Sequence, residues 1–149
     1  MNIKDRCVVF DVDGTLSDMT HRLHNLGRTP RGIDEFREKT KNDRPNRDII
    51  WLSRLFYVMN MNVIICTARE SYVRDFTIDW LIENNVEFDD IFMKADNDDR
   101  DDTVVKKEML AKIREVWGEP LFWFDDRTKV AKAIREEGVR VLQVANGDF

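Results

Sequence analysis

Short, nearly continuous apolar runs recur along the chain and alternate with segments in which apolar residues repeat at helical spacing. The runs are rich in Val, Ile and Phe, and Arg140 is the one charged residue within them. Their length and composition predict strands at residues 7–10, 62–66, 91–93, 121–124 and 139–144. Runs that do not alternate between apolar and polar residues are typical of parallel strands that are buried on both faces.

The segments between these runs predict amphipathic helices at about residues 46–60 and 71–84, around 105–117, and around 130–134. Ser71 is expected to be the N-cap of the second helix. Gly118 and Gly138 are expected to end the third and fourth helices. The aromatic and methionine side chains of these segments are expected to pack in the core.

The alternation of strands and helices predicts a single α/β domain over residues 1–149, built on a doubly wound, Rossmann-like parallel sheet with right-handed crossovers. Residues 17–45 interrupt this alternation and include Gly27, Pro30, Gly32 and Pro45. We expect them to form a small helical, cap-like insertion after the first strand, with one helix at 33–41. Ligands of such sheets bind at the carboxyl ends of the strands, so the insertion is expected to cover the active site.

Polar side chains stand at the carboxyl ends of three predicted strands: Asp11 and Asp13, Thr67 and Arg69, and Asp125 and Asp126. Asp102 and Lys106 lie four residues apart at the start of a helix and therefore share a face. Carboxylate oxygens suit Mg²⁺, and Thr, Arg and Lys side chains suit the oxygens of a phosphate. One aspartate can attack phosphorus while another moves a proton. The set therefore predicts Mg²⁺-assisted phosphoryl transfer.

Each of these groups also has an ordinary structural interpretation. An aspartate pair after a strand often caps a helix or forms a turn, and a single arginine often forms a surface ion pair. Asp102 and Lys106 could form a routine i,i+4 salt bridge. The chemical interpretation is favoured because all of the groups are expected at the same end of one sheet.

The net charge of −5 is unevenly distributed along the chain. Residues 22–54 contain nine Lys and Arg residues against five acids, so that segment carries +4 and the remainder −9. A basic segment on an acidic protein can attract an anionic substrate to one side, and a solvated charged surface would have the same composition. The cations expected to contact the phosphodiester backbone of a substrate are Arg22 and those between residues 28 and 47: Arg28, Arg31, Arg37, Lys39, Lys41, Arg44 and Arg47.

Cysteine use and hydropathy predict a soluble, cytoplasmic protein. Cys7 and Cys66 lie inside apolar runs and are expected to be reduced core residues. The two histidines form no zinc-binding pattern with them. No apolar stretch approaches 18 residues and the first residues lack the pattern of a signal peptide, so no association with a membrane is expected.

The motifs resemble those of the haloacid dehalogenase-type phosphohydrolases: DVDGTL at 11–16, a Thr that closes the second strand, then a Lys, then DD. Within that group the chain resembles the 3′-phosphatase domains of the polynucleotide kinases of T-even bacteriophages and related phage proteins. This likeness is carried by DVDGTLSDM with Arg22 downstream, by TARES, by RDDTVVKKE, and by the long final segment DDRTKVAKAIREEGVRVLQVANGDF.

The resemblance implies three catalytic residues. Asp11 would be the nucleophile that forms an aspartyl-phosphate intermediate, and Asp13 would be the general acid and base. Lys106 would be the catalytic lysine, because the sequence Val-Val-Lys favours it over the adjacent Lys107. The sequence contains no GxxxxGK[ST] motif, so 5′-kinase activity is not expected.

The resemblance also implies a metal site and a substrate site. The Mg²⁺ ligands would be Asp11, Asp13, Asp125 and Asp126, with Asp13 contributing its backbone carbonyl. The residues that bind the phosphate or the rest of the substrate would be Thr67, Arg69, Arg22 and Asp102. Residues 23–45 do not match the pattern of the phage domains, and substrate choice in this family is commonly determined in that region.

Three functional hypotheses follow. The first is removal of 3′-phosphates from nucleic acid ends, as in nucleic acid repair, which the basic segment favours. The second is the same chemistry on a free nucleotide, as in a 5′(3′)-nucleotidase, or on another small phosphate ester. The third is a binding module that has lost catalysis, which is disfavoured because every chemical position is occupied. The sequence indicates neither an oligomeric state nor a partner protein.

Overall fold

The computed structural model describes residues 5–25 and 29–149. Its elements follow one another in the order β1 (Cys7–Phe10), β2 (Ser17–Asp18), α1 (Ile33–Thr40), β3 (Arg44–Pro45), α2 (Arg47–Val58), β4 (Asn62–Glu70), α3 (Arg74–Glu83), β5 (Asp90–Lys94), α4 (Asp102–Trp117), β6 (Pro120–Arg127), α5 (Thr128–Glu136) and β7 (Val141–Gly147). Turns of 3₁₀ helix at Thr20–Asn25 and Ser71–Val73 precede α1 and α3.

Five parallel strands form the central sheet in the order β5-β4-β1-β6-β7. β1 lies in the middle and pairs with β4 on one side and with β6 on the other. The chain therefore builds outward through β4 and β5, and then returns past β1 to add β6 and β7. Such a reversal opens a crevice beyond the carboxyl end of the central strand, where ligands bind in this class of sheet. The predicted doubly wound α/β fold is confirmed.

Helices cover both faces of the sheet, which explains why its strands are continuously apolar. Successive residues of β1 point to opposite faces. Val9 packs with α4 and α5, whereas Val8 packs with α2 and α3. The helices contribute buried residues of their own: Ile113 and Ile134 on the first face, and Ile50 and Leu81 on the second. Each such side chain contributes about 1.5–3 kcal/mol through its burial.

Two strands continue beyond the apolar runs that predict them. β4 extends to Glu70 and β6 to Arg127, because ladder pairing persists into the polar residues that follow. Each extension passes through a register shift, between Thr67 and Glu70 in β4 and between Asp125 and Arg127 in β6. Irregular pairing of this kind changes the direction in which side chains point and is common near active sites. Here it occurs at the polar residues that the sequence predicts to form the site.

β7 and α3 begin later than the sequence predicts. β7 is at Val141–Gly147 rather than at 139–144, since Val139 packs in the core but precedes the pairing with β6. Ser71 is not an N-cap: its Oγ donates to the backbone oxygen of Lys94 at 2.9 Å, and α3 begins only at Arg74. Ser71 therefore links β4 to β5 and does not start the helix.

The segment between β1 and α2 lies outside the central sheet and forms the predicted insertion. β2 and β3 pair antiparallel and bring its two ends together, with Ser17 opposite Pro45. These strands have two residues each, which is too short for any periodicity to predict them. The predicted helix at 33–41 is present as α1, and its buried Phe36 meets Phe76 of α3 edge-on at 5.5 Å. The predicted breaker Gly27 lies outside the described residues.

The two cysteines are buried free thiols. Burial is the main cause that raises the pKa of both thiols, and that of Cys7 to about 11. Both side chains therefore stay protonated at neutral pH and act as apolar core residues. In the part of the chain that the structure describes, no helix combines the length and the apolar character needed to cross a bilayer.

Candidate active site

Asp11 and Lys106 form a buried ion pair beyond the carboxyl end of β1. The Nζ of Lys106 donates to Oδ1 of Asp11 at 2.9 Å and to Oδ2 of Asp125 at 2.6 Å. Lys106 reaches them from the second turn of α4, and its side chain is only 3% exposed. Among the described residues it does not pair with Asp102, as the i,i+4 interpretation would require. The adjacent Lys107 forms a surface ion pair instead.

Burial dominates the electrostatics of this group. It raises the pKa of Asp11 well above its ordinary value, although the charge of Lys106 opposes the shift. Burial would lower the pKa of Lys106, but the charges of Asp11 and Asp125 outweigh it and raise that pKa. Buried charges are tolerated only when they are paired and hydrogen-bonded. The lysine and the two carboxylates therefore form one mutually bonded buried group.

Three carboxylates converge at this end of the sheet. One oxygen from each of Asp11, Asp125 and Asp126 lies within 4.8 Å of the others, and all three residues are buried. Oδ1 of Asp126 is buried without a hydrogen-bond partner in the described structure. Burial, followed by the charge of Asp125, raises the pKa of Asp126 to about 6. A buried oxygen without a hydrogen-bond partner lowers the stability of the folded protein. A hard divalent cation that binds Oδ1 of Asp126 would supply the missing partner. The donor set therefore fits a divalent metal.

The Asp13 carboxylate lies with two arginines, apart from the three-carboxylate cluster. It accepts from Nε and Nη2 of Arg69 at 2.9 and 2.8 Å and from Nη2 of Arg22 at 2.9 Å. Burial would raise the pKa of Asp13, but Arg69 and then Arg22 outweigh it and hold that pKa well below its ordinary value. The side chain is an anion outside the three-carboxylate cluster, so only the backbone carbonyl of Asp13 remains as a candidate ligand.

Arg22 is buried, whereas a contact for a nucleic acid backbone would be exposed. Its Nε and Nη2 donate to the two carboxylate oxygens of Asp43 at 2.7 and 2.6 Å. Asp43 is itself only 2% exposed. Nothing in the sequence predicts Asp43, because it lies 21 residues from Arg22 and no local pattern joins them. The pairing of β2 with β3 places Asp43 beside the 3₁₀ turn that carries Arg22.

Arg69 is held by several contacts at the end of β4. Its Nη1 donates to Oγ1 of Thr77 at 3.2 Å, and its backbone N–H donates to Oγ1 of Thr67 at 3.2 Å. Its guanidinium carbon lies 5.0 Å from the ring centre of Phe36, a cation–π contact. Because Phe36 belongs to α1, the insertion contributes contacts to both arginines that hold Asp13.

These groups open into a cleft of about 240 Å³ between the sheet edge and the insertion. Among the residues that the structure describes, six cationic and four acidic side chains line it, although the whole chain carries −5. Thr67 lines the cleft near Asp11. Asp102 lies on its wall, where it accepts from Nη1 of Arg127 and stands 3.6 Å from the Nζ of Lys94. The surface that leads to Asp11 is therefore net basic.

A second cavity adjoins the acid cluster on the side of Asp126. Its lining includes Asp18, Asp48 and Asp126, and no Lys or Arg among the described residues. Met19 and Phe149 line both cavities and therefore lie between them. An anion is attracted to the cleft and repelled from this cavity, so the site has distinct basic and acidic approaches.

Only part of the basic segment reaches the cleft. Lys39 lines it, whereas Arg31 and Lys41 are exposed elsewhere on the insertion. Lys41 pairs there with Glu38. Arg28 lies outside the described residues. The positive charge of the cleft therefore comes mainly from residues of the sheet edge and α4, and less from the insertion than the sequence suggests.

Two glycines allow the backbone to approach Asp126 closely. Gly14 has a φ of +84°, and a Cβ there would lie 2.0 Å from Oδ2 of Asp126. A Cβ on Gly147 would lie 2.2 Å from the backbone oxygen of Asp126. Gly147 has no local signal in the sequence, because only the pairing of β7 with the end of β6 brings it near.

A parallel sheet with a nucleophile-like aspartate after its central strand and an aspartate pair after the neighbouring strand defines the haloacid dehalogenase-like hydrolases. A hydrolase of the haloacid dehalogenase-like family from Streptococcus pneumoniae shares the fold, with a TM-score of 0.63 and 17% identity over 94% of this chain and 84% of that chain. A family model described as "Polynucleotide kinase PNKP phosphatase domain" matches residues 5–149. The chain belongs to this family of phosphatase domains, and the predicted phosphatase class is confirmed.

Two solved structures with higher identity come from assemblies. A chain of the Pnkp1/Rnl/Hen1 complex gives a TM-score of 0.81 and 28% identity, over 97% of this chain and 46% of that chain. A chain of the Pnkp1/Rnl/Hen1 RNA repair complex gives the same TM-score and identity, over 97% of this chain and 43% of that chain. This chain therefore spans less than half the length of the two proteins.

Gly14→Ala will reduce phosphatase activity far more than the matched change Gly138→Ala. Both positions have positive φ, at +84° and +88°, so each alanine costs about 1–2 kcal/mol of unfolding free energy from its left-handed backbone. A Cβ on Gly138 meets nothing within 4 Å, whereas a Cβ on Gly14 would displace the Asp126 carboxylate. Denaturant unfolding and phosphate release measure the two effects. Equal activity of the variants would show that the approach of Gly14 to Asp126 has no functional role.

Proposed function

We propose that the chain is a Mg²⁺-dependent phosphomonoesterase that removes 3′-phosphates from nucleic acid ends. The observation that carries the proposal is the buried pair of Asp11 and Lys106 in a cleft lined by six cations. The family description names a polynucleotide kinase, and one solved relative belongs to an RNA repair complex. These two likenesses support a nucleic acid end as the substrate.

In the first step an oxygen of the Asp11 carboxylate attacks phosphorus, and the bond from phosphorus to the 3′ oxygen of the sugar breaks. Asp13, an anion between its two arginines, first takes up a proton from solvent and then donates it to the departing 3′ oxygen, which leaves as a hydroxyl. The product is an aspartyl-phosphate on Asp11. Lys106, already within hydrogen-bond distance of Asp11, offsets the charge that develops on the phosphoryl oxygens. Thr67 donates its hydroxyl hydrogen to another of these oxygens.

In the second step a water molecule attacks the same phosphorus while Asp13 accepts its proton. The bond from phosphorus to the Asp11 oxygen breaks, which restores the carboxylate and releases inorganic phosphate. Arg69 and Arg22 fix the position of the Asp13 carboxylate, the group that exchanges the proton in both steps. Asp43 in turn fixes Arg22.

The acid cluster is the proposed Mg²⁺ site. Asp11, Asp125 and Asp126 would hold the ion with the backbone carbonyl of Asp13, and a bound Mg²⁺ would supply positive charge that offsets the charge of the phosphate. Lys106 contributes one positive charge to three carboxylates. The remaining excess of negative charge and the orphaned oxygen of Asp126 both favour a divalent cation at this place.

The substrate class is tested by phosphate release in Mg²⁺ from one oligonucleotide sequence that carries its phosphate either at the 3′ end or at the 5′ end. Nucleoside 3′- and 5′-monophosphates are the matched small substrates, and DNA and RNA versions are compared. We expect kcat/KM for the 3′-phosphorylated oligonucleotide to be at least about tenfold higher than for the others. A preference for mononucleotides would replace the proposal by a nucleotidase, and no release from any of these substrates would favour a binding module.

A further inference from the structure

One of the six cations that line the cleft differs from the other five. Those five have acidic partners within ion-pair distance: Arg22 and Arg69 with Asp13, Lys106 with Asp11, and Lys94 and Arg127 with Asp102. Lys39 has no acidic partner and no hydrogen-bond acceptor among the described residues. Lys39 is therefore the cation of the described cleft that no acid contacts directly, and the charges of Asp13 and Asp43 act on it only from beyond ion-pair distance.

Lys39 lies on the inner side of α1. It follows the buried Phe36 by three residues and precedes the buried Thr40, so it shares the face that the helix turns toward the body of the protein. It is half-buried, and burial, followed by the charge of Arg22, lowers the pKa of its ammonium group. A half-buried cation without a partner loses part of its hydration and so lowers the stability of the folded protein. An anion that enters the cleft and binds Lys39 would offset this loss.

The transferred phosphate already has its own donors. Lys106 and Thr67 stand beside Asp11 at the sheet edge, whereas Lys39 enters from the insertion and faces the side of the site where Arg22, Arg69 and Asp13 lie. A substrate whose terminal phosphate is at Asp11 must extend away from the sheet edge toward the opening of the cleft. Its next phosphate is the group that then meets the insertion.

We propose that Lys39 is a subsite for a second phosphate, the phosphodiester next to the terminal phosphate that is removed. This inference rests on the proposed function and makes it more specific. The enzyme would favour substrates that carry two phosphates on one nucleoside, whether as an oligonucleotide end or as a nucleoside 3′,5′-bisphosphate. A nucleoside 3′-monophosphate lacks the group that Lys39 binds.

The test compares Lys39→Gln with the matched control Lys41→Gln, which removes a charge that pairs with Glu38 on the exposed surface of the insertion. The substrates are a 3′-phosphorylated oligonucleotide, a nucleoside 3′,5′-bisphosphate and a nucleoside 3′-monophosphate. Lys39→Gln should lower kcat/KM about tenfold for the first two, mainly through KM, because it removes a charge-assisted contact. It should leave the monophosphate nearly unchanged, and Lys39→Arg should retain most of the activity.

Salt dependence gives an independent readout. One lost phosphate contact should reduce the slope of log kcat/KM against log salt for the oligonucleotide by about 0.7. The slope for the monophosphate should not change. Lys39→Gln should unfold at a temperature no lower than the wild type, since it removes a half-buried charge and no ion-pair partner is lost.

The outcomes separate the two claims. The wild-type substrate order tests the proposed function, whereas the ratio of variant to wild type on each substrate tests Lys39. An equal loss on all three substrates, with a fall in kcat, would assign Lys39 to the transferred phosphate and overturn the subsite. An effect of Lys39→Gln no larger than that of Lys41→Gln would show that Lys39 is only a solvated cation.

Discussion

Asp11→Asn will reduce phosphate release by a factor on the order of 10³ or more while the protein stays folded. An amide has nearly the shape of a carboxylate, but it is a poor nucleophile and a weaker metal ligand. The Asn oxygen can still accept from Lys106, which also keeps its bond to Asp125. Removal of a buried carboxylate whose pKa is raised by its burial costs little stability, so Tm should move by no more than about 4 °C.

The measurements for Asp11→Asn are steady-state phosphate release and thermal unfolding, with Asp34→Asn as the matched control. Asp34→Asn is the same carboxylate-to-amide change, made at a side chain that is 96% exposed and lies outside the cluster. Acid quench of a reaction with labelled substrate should trap phosphate on the wild-type protein and not on Asp11→Asn. Near-normal turnover of the folded variant would remove Asp11 from its role as nucleophile.

Excess EDTA will abolish activity, and added Mg²⁺ will restore it. The ligands offered by the cluster are carboxylate oxygens, and among the described residues no His or Cys ligand atom belongs to it. Chelation should lower Tm by no more than about 10 °C and leave the protein folded, because Lys106 already offsets part of the negative charge and the core does not depend on a metal. EDTA that is first saturated with Mg²⁺ is the control for effects of the chelator itself.

The metal site has a second readout that does not depend on turnover. Mg²⁺ at about 100 times its Kd should stabilise the wild type by about 2.7 kcal/mol, which appears as a rise in Tm. Asp126→Asn should lose most of this rise, since it replaces the carboxylate with the orphaned oxygen. Full activity in excess chelator, or an unchanged Mg²⁺-dependent rise in Asp126→Asn, would contradict the assignment of the cluster as the magnesium site.

The elements of the fold follow closely from the sequence, because each depends on a short stretch of chain. The apolar run Cys7–Phe10 is a strand as predicted, and its residues are all fully buried. A strand with both faces in the core needs apolar residues at every position, so the length and composition of the unbroken apolar run identify it. The exceptions are the ends: β4 and β6 continue into polar residues because their neighbours supply ladder partners.

The chemical side chains also follow from the sequence, because residues just past parallel strands meet at one edge. Asp11, Thr67 and Asp125 converge in the structure as their positions predict. The contacts of Asp13 do not follow in the same way. The resemblance assigns its backbone carbonyl to the metal and its carboxylate to proton transfer, but nothing in the sequence predicts that Arg69 of β4 and Arg22 of the insertion hold that carboxylate.

What the sequence by itself determines is therefore where the strands of the central sheet and the helices lie, apart from their exact ends, and which side chains stand at the active edge. Only the tertiary structure decides how the charges pair. Lys106 bonds Asp11, 95 residues away, and not its helical neighbour Asp102. Arg22 meets Asp43 through the closure of the insertion, and Lys39 is left without an acid. Periodicity reports interactions within one element, whereas ion pairs across elements depend on distances that exist only after the helices and the insertion have packed against the sheet.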